Sequence, residues 1–175
     1  MPASNSISLQ RATPGMAPML SNLLELYIHD LSEIFPVTLG PDGRFGYEKL
    51  PLYWAEPAVH HAFLIKHGRH VAGFAFATHG SPASDDPEDL DVAEFFVLRG
   101  YRRLGVGSRA AVALWDSVPG HWVVRVSEAN RTGLPFWSEV IRSYTSGDFL
   151  ESAWSADSQR WRVFRFASIA WREPL

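Results

Sequence analysis

Fifteen consecutive residues, Glu94-Phe-Phe-Val-Leu-Arg-Gly-Tyr-Arg-Arg-Leu-Gly-Val-Gly-Ser108, concentrate the residue types able to do chemistry. An apolar run leads into a turn bearing Arg102, Arg103, Gly105 and Gly107, and the spacing after it turns helical. The first N–H groups of a helix have no partner within it and carry the positive end of its dipole. Glycines let such a backbone curl and approach a ligand closely, which makes a cradle for phosphate. With Arg102, Arg103 and Arg109 nearby, a pyrophosphate is a fitting guest. A plain glycine-bearing strand-to-helix turn with exposed arginines explains the loop equally well.

Three phosphate-binding readings compete. Gly100 and Gly105 supply half of a P-loop, but Val106 stands where its lysine belongs. Residues 105–110 fit G-x-G-x-x-A, with Glu128 at the distance a dinucleotide fold uses for its ribose. Against that, six residues separate Leu98 from Gly105, and the chain ends in what reads as an antiparallel pair.

The third reading accounts for more residues. Arg102-Arg103-Leu104-Gly105-Val106-Gly107 resembles the Q/R-x-x-G-x-G/A loop of the GNAT superfamily of acyl-CoA-dependent N-acyltransferases. The likeness runs back through Phe95-Phe96-Val97 and forward to an Asn130-led helix similar to that family's N-x-x-A-x-x-x-Y segment. The order of strands and helices from Ile7 to Phe166 also looks like the family's.

That resemblance implies roles for individual residues. The backbone of Phe96 and Val97 would pair with the pantetheine arm of acetyl-CoA. The amides of Arg103, Leu104, Gly105, Val106, Gly107 and Ser108 would hold the pyrophosphate, with Arg102 at the motif's first basic position. Asn130 would bind on the pantetheine side, and Trp137 falls in the matching helix. The strands before and after the motif would splay, leaving a backbone N–H near Val97 to polarise the thioester carbonyl. The family often protonates the departing thiolate with a tyrosine of the last helix. Phe136-Trp137 occupies the matching place, and Tyr144 lies two helical turns further on.

The resemblance also implies a base, since many members of that family carry glutamate near this point, and Glu94 is the candidate. An ammonium has no lone pair, so an attacking amine must lose a proton. Glu94 and Phe96 are two apart on a strand and share a face. A carboxylate paired with a nearby arginine is the bland explanation, and an unpaired one in an apolar strand is costly.

The elements that must position these residues follow from periodicity. Strands are expected at 7–11, 62–66, 71–78, 92–98, 121–127, 147–154 and 160–166, and helices at 17–35, 105–118 and 130–144. Residues 36–57 read as irregular with one short helical turn. The expected fold is a single α/β domain over residues 1–175, a GNAT-like mixed, mostly antiparallel sheet flanked by helices.

Other signals carry less. His60, His61, His67 and His70 lack a completing carboxylate and read as surface histidines, so no metal is expected. The acids at 85–91 read as a solvated loop that, with Asp30 and Glu33, would steer a cationic amine. Trp54 is a candidate lining for an acceptor pocket. No G-x-S-x-G elbow supports serine catalysis.

Composition narrows the classes. In 175 residues there are 16 Lys and Arg against 19 Asp and Glu, a formal charge of −3. Nucleic-acid partners normally demand a basic excess, so none is expected. No cysteine is present, which excludes disulfides, thiolate metal sites and cysteine nucleophiles. The first twenty residues lack a signal-peptide pattern, and the longest apolar run, 71–77, falls short of the ~20 residues that cross a bilayer. The sequon at Asn130 then reads as a chance match. A cytoplasmic N-acetyltransferase acting on a small-molecule or peptide amine is the leading expectation. Runners-up are a non-catalytic acyl-CoA-binding sensor or scaffold and, third, a dinucleotide-binding domain. The apolar segment 169–175 is suited to pack on a second copy, making a homodimer.

Overall fold

The computed structural model describes residues 6–169. Seven strands and four helices follow in the order β1 (Ile7–Arg11), α1 (Ala17–Leu31), α2 (Leu52–Ala55), β2 (His60–His67), β3 (His70–His79), β4 (Leu90–Val97), α3 (Val106–Ser117), β5 (His121–Ser127), α4 (Gly133–Thr145), β6 (Leu150–Ala156) and β7 (Gln159–Ala167). One sheet holds all the strands in the order β1-β2-β3-β4-β5-β7-β6. Every neighbouring pair is antiparallel except β4 with β5. This is the expected mixed α/β architecture.

Both faces of the central strands are covered, which explains their nearly continuous apolar sequence. Alternation sends Ala62, Leu64, Phe74, Phe76 and Phe96 to a core closed by α1 and α2. Phe63, Ile65, Ala75 and Ala77 go to the opposite core beneath α3 and α4. There Ala110, Ala111, Leu114 and Trp115 of α3 are fully buried against Trp122 and Val124 of β5.

β4 and β5 meet only at Leu90↔Trp122 and Asp91↔Val123. Beyond these pairs both strands continue, so a gap opens between them in the centre of the sheet. The expected splay is present.

Several boundaries and environments differ from expectation. α1 ends at Leu31, and residues 32–35 turn instead. Pro36 disfavours helical backbone at the residue before it. α4 starts at Gly133 because the Asn130 side chain accepts the Gly133 N–H at 2.8 Å. Pro135 then lies in the first turn, where its missing N–H costs nothing. Ser146 and Gly147 adopt positive φ and end that helix, so β6 begins at Leu150.

Of the four histidines expected at the surface, His61 is buried instead, with its Nδ1 3.2 Å from Arg11. Burial, aided by that guanidinium, pushes its pKa down to about 4. Asp91, expected in a solvated loop, is also buried. Arg125 donates to both its carboxylate oxygens at 2.9 and 2.7 Å, and Ser81 donates at 2.6 Å. The dinucleotide reading gains no support, since only one strand pair is parallel and Glu128 faces Arg160 at 3.3 Å. Among the described residues no helix is long and apolar enough to cross a membrane. The segment suggested for dimer packing lies outside the described residues except for Ile169.

Candidate functional site

Glu94 projects from β4 towards α1 and lines a cleft of about 370 Å³. Two phenols hold it: Tyr27 donates to Oε2 at 2.7 Å and Tyr47 to Oε1 at 3.0 Å. Burial raises the Glu94 pKa above the ordinary glutamate range, while the two tyrosine hydrogen bonds oppose the rise. Burial and the Glu94 charge push both tyrosines well above their ordinary values, so they remain donors. A carboxylate accepts about four hydrogen bonds, and the phenols supply two. Arginine does not hold Glu94; Arg125 is committed to Asp91.

The cleft lies on the α1 side of the sheet. Its walls include Ile28, Leu31, Phe35, Val37 and Phe45. Trp54 does not line it; the indole donates to the Ala12 carbonyl at 3.3 Å instead. Neither tyrosine was singled out from sequence. Tyr27 falls in the apolar periodicity of α1, and Tyr47 falls in the irregular segment.

The opposite side of β4 meets the glycine-bearing loop. Arg103 at φ 61° and Gly105 at φ 72° both take left-handed backbone, which turns successive amides one way. Among the described residues, the N–H groups of Arg103, Leu104, Gly105, Val106, Gly107 and Ser108 make no close backbone hydrogen bond outside α3, and residues 102–105 form a turn. Val106 is fully buried and anchors the start of α3. A Cβ on Gly107 would lie 3.2 Å from the Phe136 ring and 3.7 Å from Val97, so only glycine fits easily. Residues 102–105 are exposed. The arrangement has the geometry of an anion cradle at a helix N-terminus, beside the gap in the sheet.

Strand geometry sorts the backbone of β4. The Leu98 N–H bonds to the Ala72 carbonyl at 2.8 Å. Alternation therefore turns the peptide groups of Phe96 towards β3 and those of Val97 and Phe95 towards the gap. The Phe96 backbone is committed to the sheet, which removes it from the pairing role expected of it; its ring packs 5.8 Å from Tyr27.

Four further expectations change. Arg102 turns away from the cradle: its Nε donates to the Val97 carbonyl at 2.8 Å and its guanidinium pairs with Asp30 at 2.6 Å. Arg99 holds the same carboxylate. Asn130 caps α4. Trp137 is core, 4.9 Å from the Phe95 ring and 6.3 Å from Trp115. Tyr144 is buried, donates to Asp116 at 2.7 Å and accepts from the Ile169 N–H at 3.0 Å. Asp116 is ten residues along α3 from Val106, about 15 Å from the cradle end. Tyr144 is thus unsuited to act as an acid at the gap.

Among the described residues no group of three or more His, Cys, Asp or Glu side chains is placed to hold a metal ion.

No protein-family model and no curated protein matches the sequence. Solved structures do. An acetyltransferase from Thermus thermophilus superposes with a TM-score of 0.67 at 18% identity, covering 94% of this chain and 99% of its own. A GNAT-family acetyltransferase from Desulfovibrio desulfuricans gives 0.58 at 13%, covering 93% and 99%. Spermidine N-acetyltransferase from Vibrio cholerae, in complex with CoA and spermine, gives 0.64 at 10%, covering 95% and 98%. At these identities the superpositions show the fold: this chain has the GNAT acetyltransferase fold.

Proposed function

We propose that the protein transfers an acetyl group from acetyl-CoA to a primary amine. The observation that carries the reading is the run of amides at residues 103–108, which make no close backbone hydrogen bond outside α3 among the described residues and open beside a gap in the sheet that has Glu94 on its other side. These amides and the α3 dipole suit a pyrophosphate, and the gap-facing edge of β4 suits an extended pantetheine arm. Bound there, acetyl-CoA supplies an activated acyl group.

The chain's own residues supply the rest. Glu94 draws the ammonium form of the acceptor into the cleft and takes its proton, directly or through water. Burial makes this carboxylate a stronger base than an ordinary glutamate, closer to what proton removal near neutral pH requires. Tyr27 and Tyr47 fix its rotamer. The gap-facing N–H of Val97 is placed to stabilise negative charge on the carbonyl oxygen. The amine lone pair forms the new C–N bond, the C–S bond breaks, and its electrons leave on sulfur. A thiol of ordinary pKa near 8.5 is a fair leaving group, so the placement of Tyr144 away from the gap does not block the reaction.

The test is calorimetry with coenzyme A followed by assay of Glu94→Gln. Saturable binding of coenzyme A, with a rate loss on Glu94→Gln at unchanged affinity, supports transfer. Tight binding with no acetylation of any amine supports a coenzyme-binding module instead.

A further inference from the structure

The cleft on the α1 side has one ionisable carboxylate in its lining, Glu94, at its inner end. The remaining walls are Ile28, Leu31, Phe35, Val37, Phe45, the backbone of Gly46 and the rings of Tyr27 and Tyr47, with Thr38 as the one neutral hydroxyl outside the phenols. Phe35 is braced from behind by Trp161, stacked at 5.6 Å, and Phe45 by His29 at 6.5 Å.

The other acids of α1 are already engaged. Glu25 accepts from the Phe45 and Gly46 N–H groups at 2.7 and 3.0 Å and faces Arg44 at 3.5 Å. Asp30 is held by Arg99 and Arg102. Lys49 and Arg125, the latter paired with Asp91, also act electrostatically on Glu94. A second ammonium on the acceptor would find no second carboxylate in the lining itself; Glu33, between Leu31 and Phe35, is exposed outside it. A peptide would bury amide groups against walls offering them few partners, which is costly.

We infer that the acceptor is a small primary amine with a single positive charge and an apolar, preferentially aromatic, body. This rests on the acetyl-transfer reading above. Glu94 receives the ammonium between two phenol rings, which themselves favour a cation. Phe35 and Phe45 flank the apolar part. Spermine, the polyamine seen in the Vibrio cholerae neighbour, is a poor match to such walls.

The experiment measures binding of 2-phenylethylamine, spermidine, kanamycin and a hexapeptide with a free N-terminal phenylalanine, by calorimetry, with and without coenzyme A. Acetylation rates are read on the same panel. Phenylethylamine is expected to bind at least tenfold tighter than the other three. Phe45→Ala should weaken it about tenfold, in line with the worth of an aromatic pair. Val37→Asp adds a carboxylate at an exposed wall position, 39% accessible, so it should fold. It is expected to shift the preference towards spermidine by at least fivefold. A higher rank for spermidine, kanamycin or the peptide, or no amine binding at all, overturns the inference. If coenzyme A binds normally in that case, acetyl transfer survives and only the acceptor class is wrong. If coenzyme A fails to bind, the functional reading falls and this inference with it.

Discussion

Glu94 carries the most specific chemistry of the proposed function, and its environment sets the direction of each effect. Glu94→Gln should lower the acetylation rate by about 10²–10⁴ while coenzyme affinity stays unchanged, as steady-state kinetics and calorimetry would show. The Tyr27 and Tyr47 bonds lower the Glu94 pKa against the rise from burial. Tyr27→Phe should therefore move the ascending limb of the kcat/KM pH profile to higher pH; a profile that does not move, or moves down, contradicts the hydrogen-bond role. A stability effect accompanies this. The raised pKa means the folded chain keeps a proton that the unfolded chain gives up. That stabilising contribution is complete below the ordinary glutamate value and is lost as pH rises through the folded one. Denaturation of wild type and Glu94→Gln between about pH 4 and pH 8 should show the variant gaining relative stability as pH rises. The position of Glu94 stood out in the sequence because a carboxylate interrupts an apolar strand before a glycine loop, and its proposed role came from the family likeness. Tyr27 and Tyr47 did not, because they converge on it from 67 and 47 residues away.

Local pattern reveals an element well when the element's own residues decide it, and poorly when a distant partner does. β1 and β5 match expectation residue for residue: β1 alternates from Ile7 to Gln10, and β5 is a compact, mostly buried run after Gly120. α4 starts three residues late because the Asn130 side chain sets its first turn. The splay between β4 and β5 was foreseen only through the family likeness. Strand registry also rests on a position with no sequence signature. A Cβ at Gly73 would fall 1.9 Å from the Phe96 carbonyl oxygen, so β3 and β4 approach closely only with glycine there. Gly73→Ala should push β4 aside, lower stability by about 1–3 kcal/mol and reduce acetylation through displacement of Glu94; thermal denaturation and kinetics test both. Unchanged stability would mean that β4 yields without cost.

The sheet is two halves, β1-β2-β3-β4 and β5-β7-β6, joined by two residue pairs. Asp91 on one half and Arg125 on the other add a buried ion pair across the seam. Asp91→Ala leaves Arg125 without its partner and should cost about 3–5 kcal/mol, measured by denaturant unfolding. Replacing both together, Asp91→Leu with Arg125→Met, should recover much of the loss. The acidic run at 85–91 hid this role, because the partner of Asp91 lies 34 residues downstream. Held apart beyond that seam, the halves leave the gap that the proposed chemistry requires, with amides on one side and Glu94 on the other. Calorimetric titration with coenzyme A and with pantetheine, on wild type and Gly107→Trp, tests that account most directly. One saturable site for coenzyme A, at least a hundredfold weaker binding of pantetheine, and loss of coenzyme A binding in Gly107→Trp are expected. Equal binding of the two ligands, or a variant that binds like wild type, would contradict it.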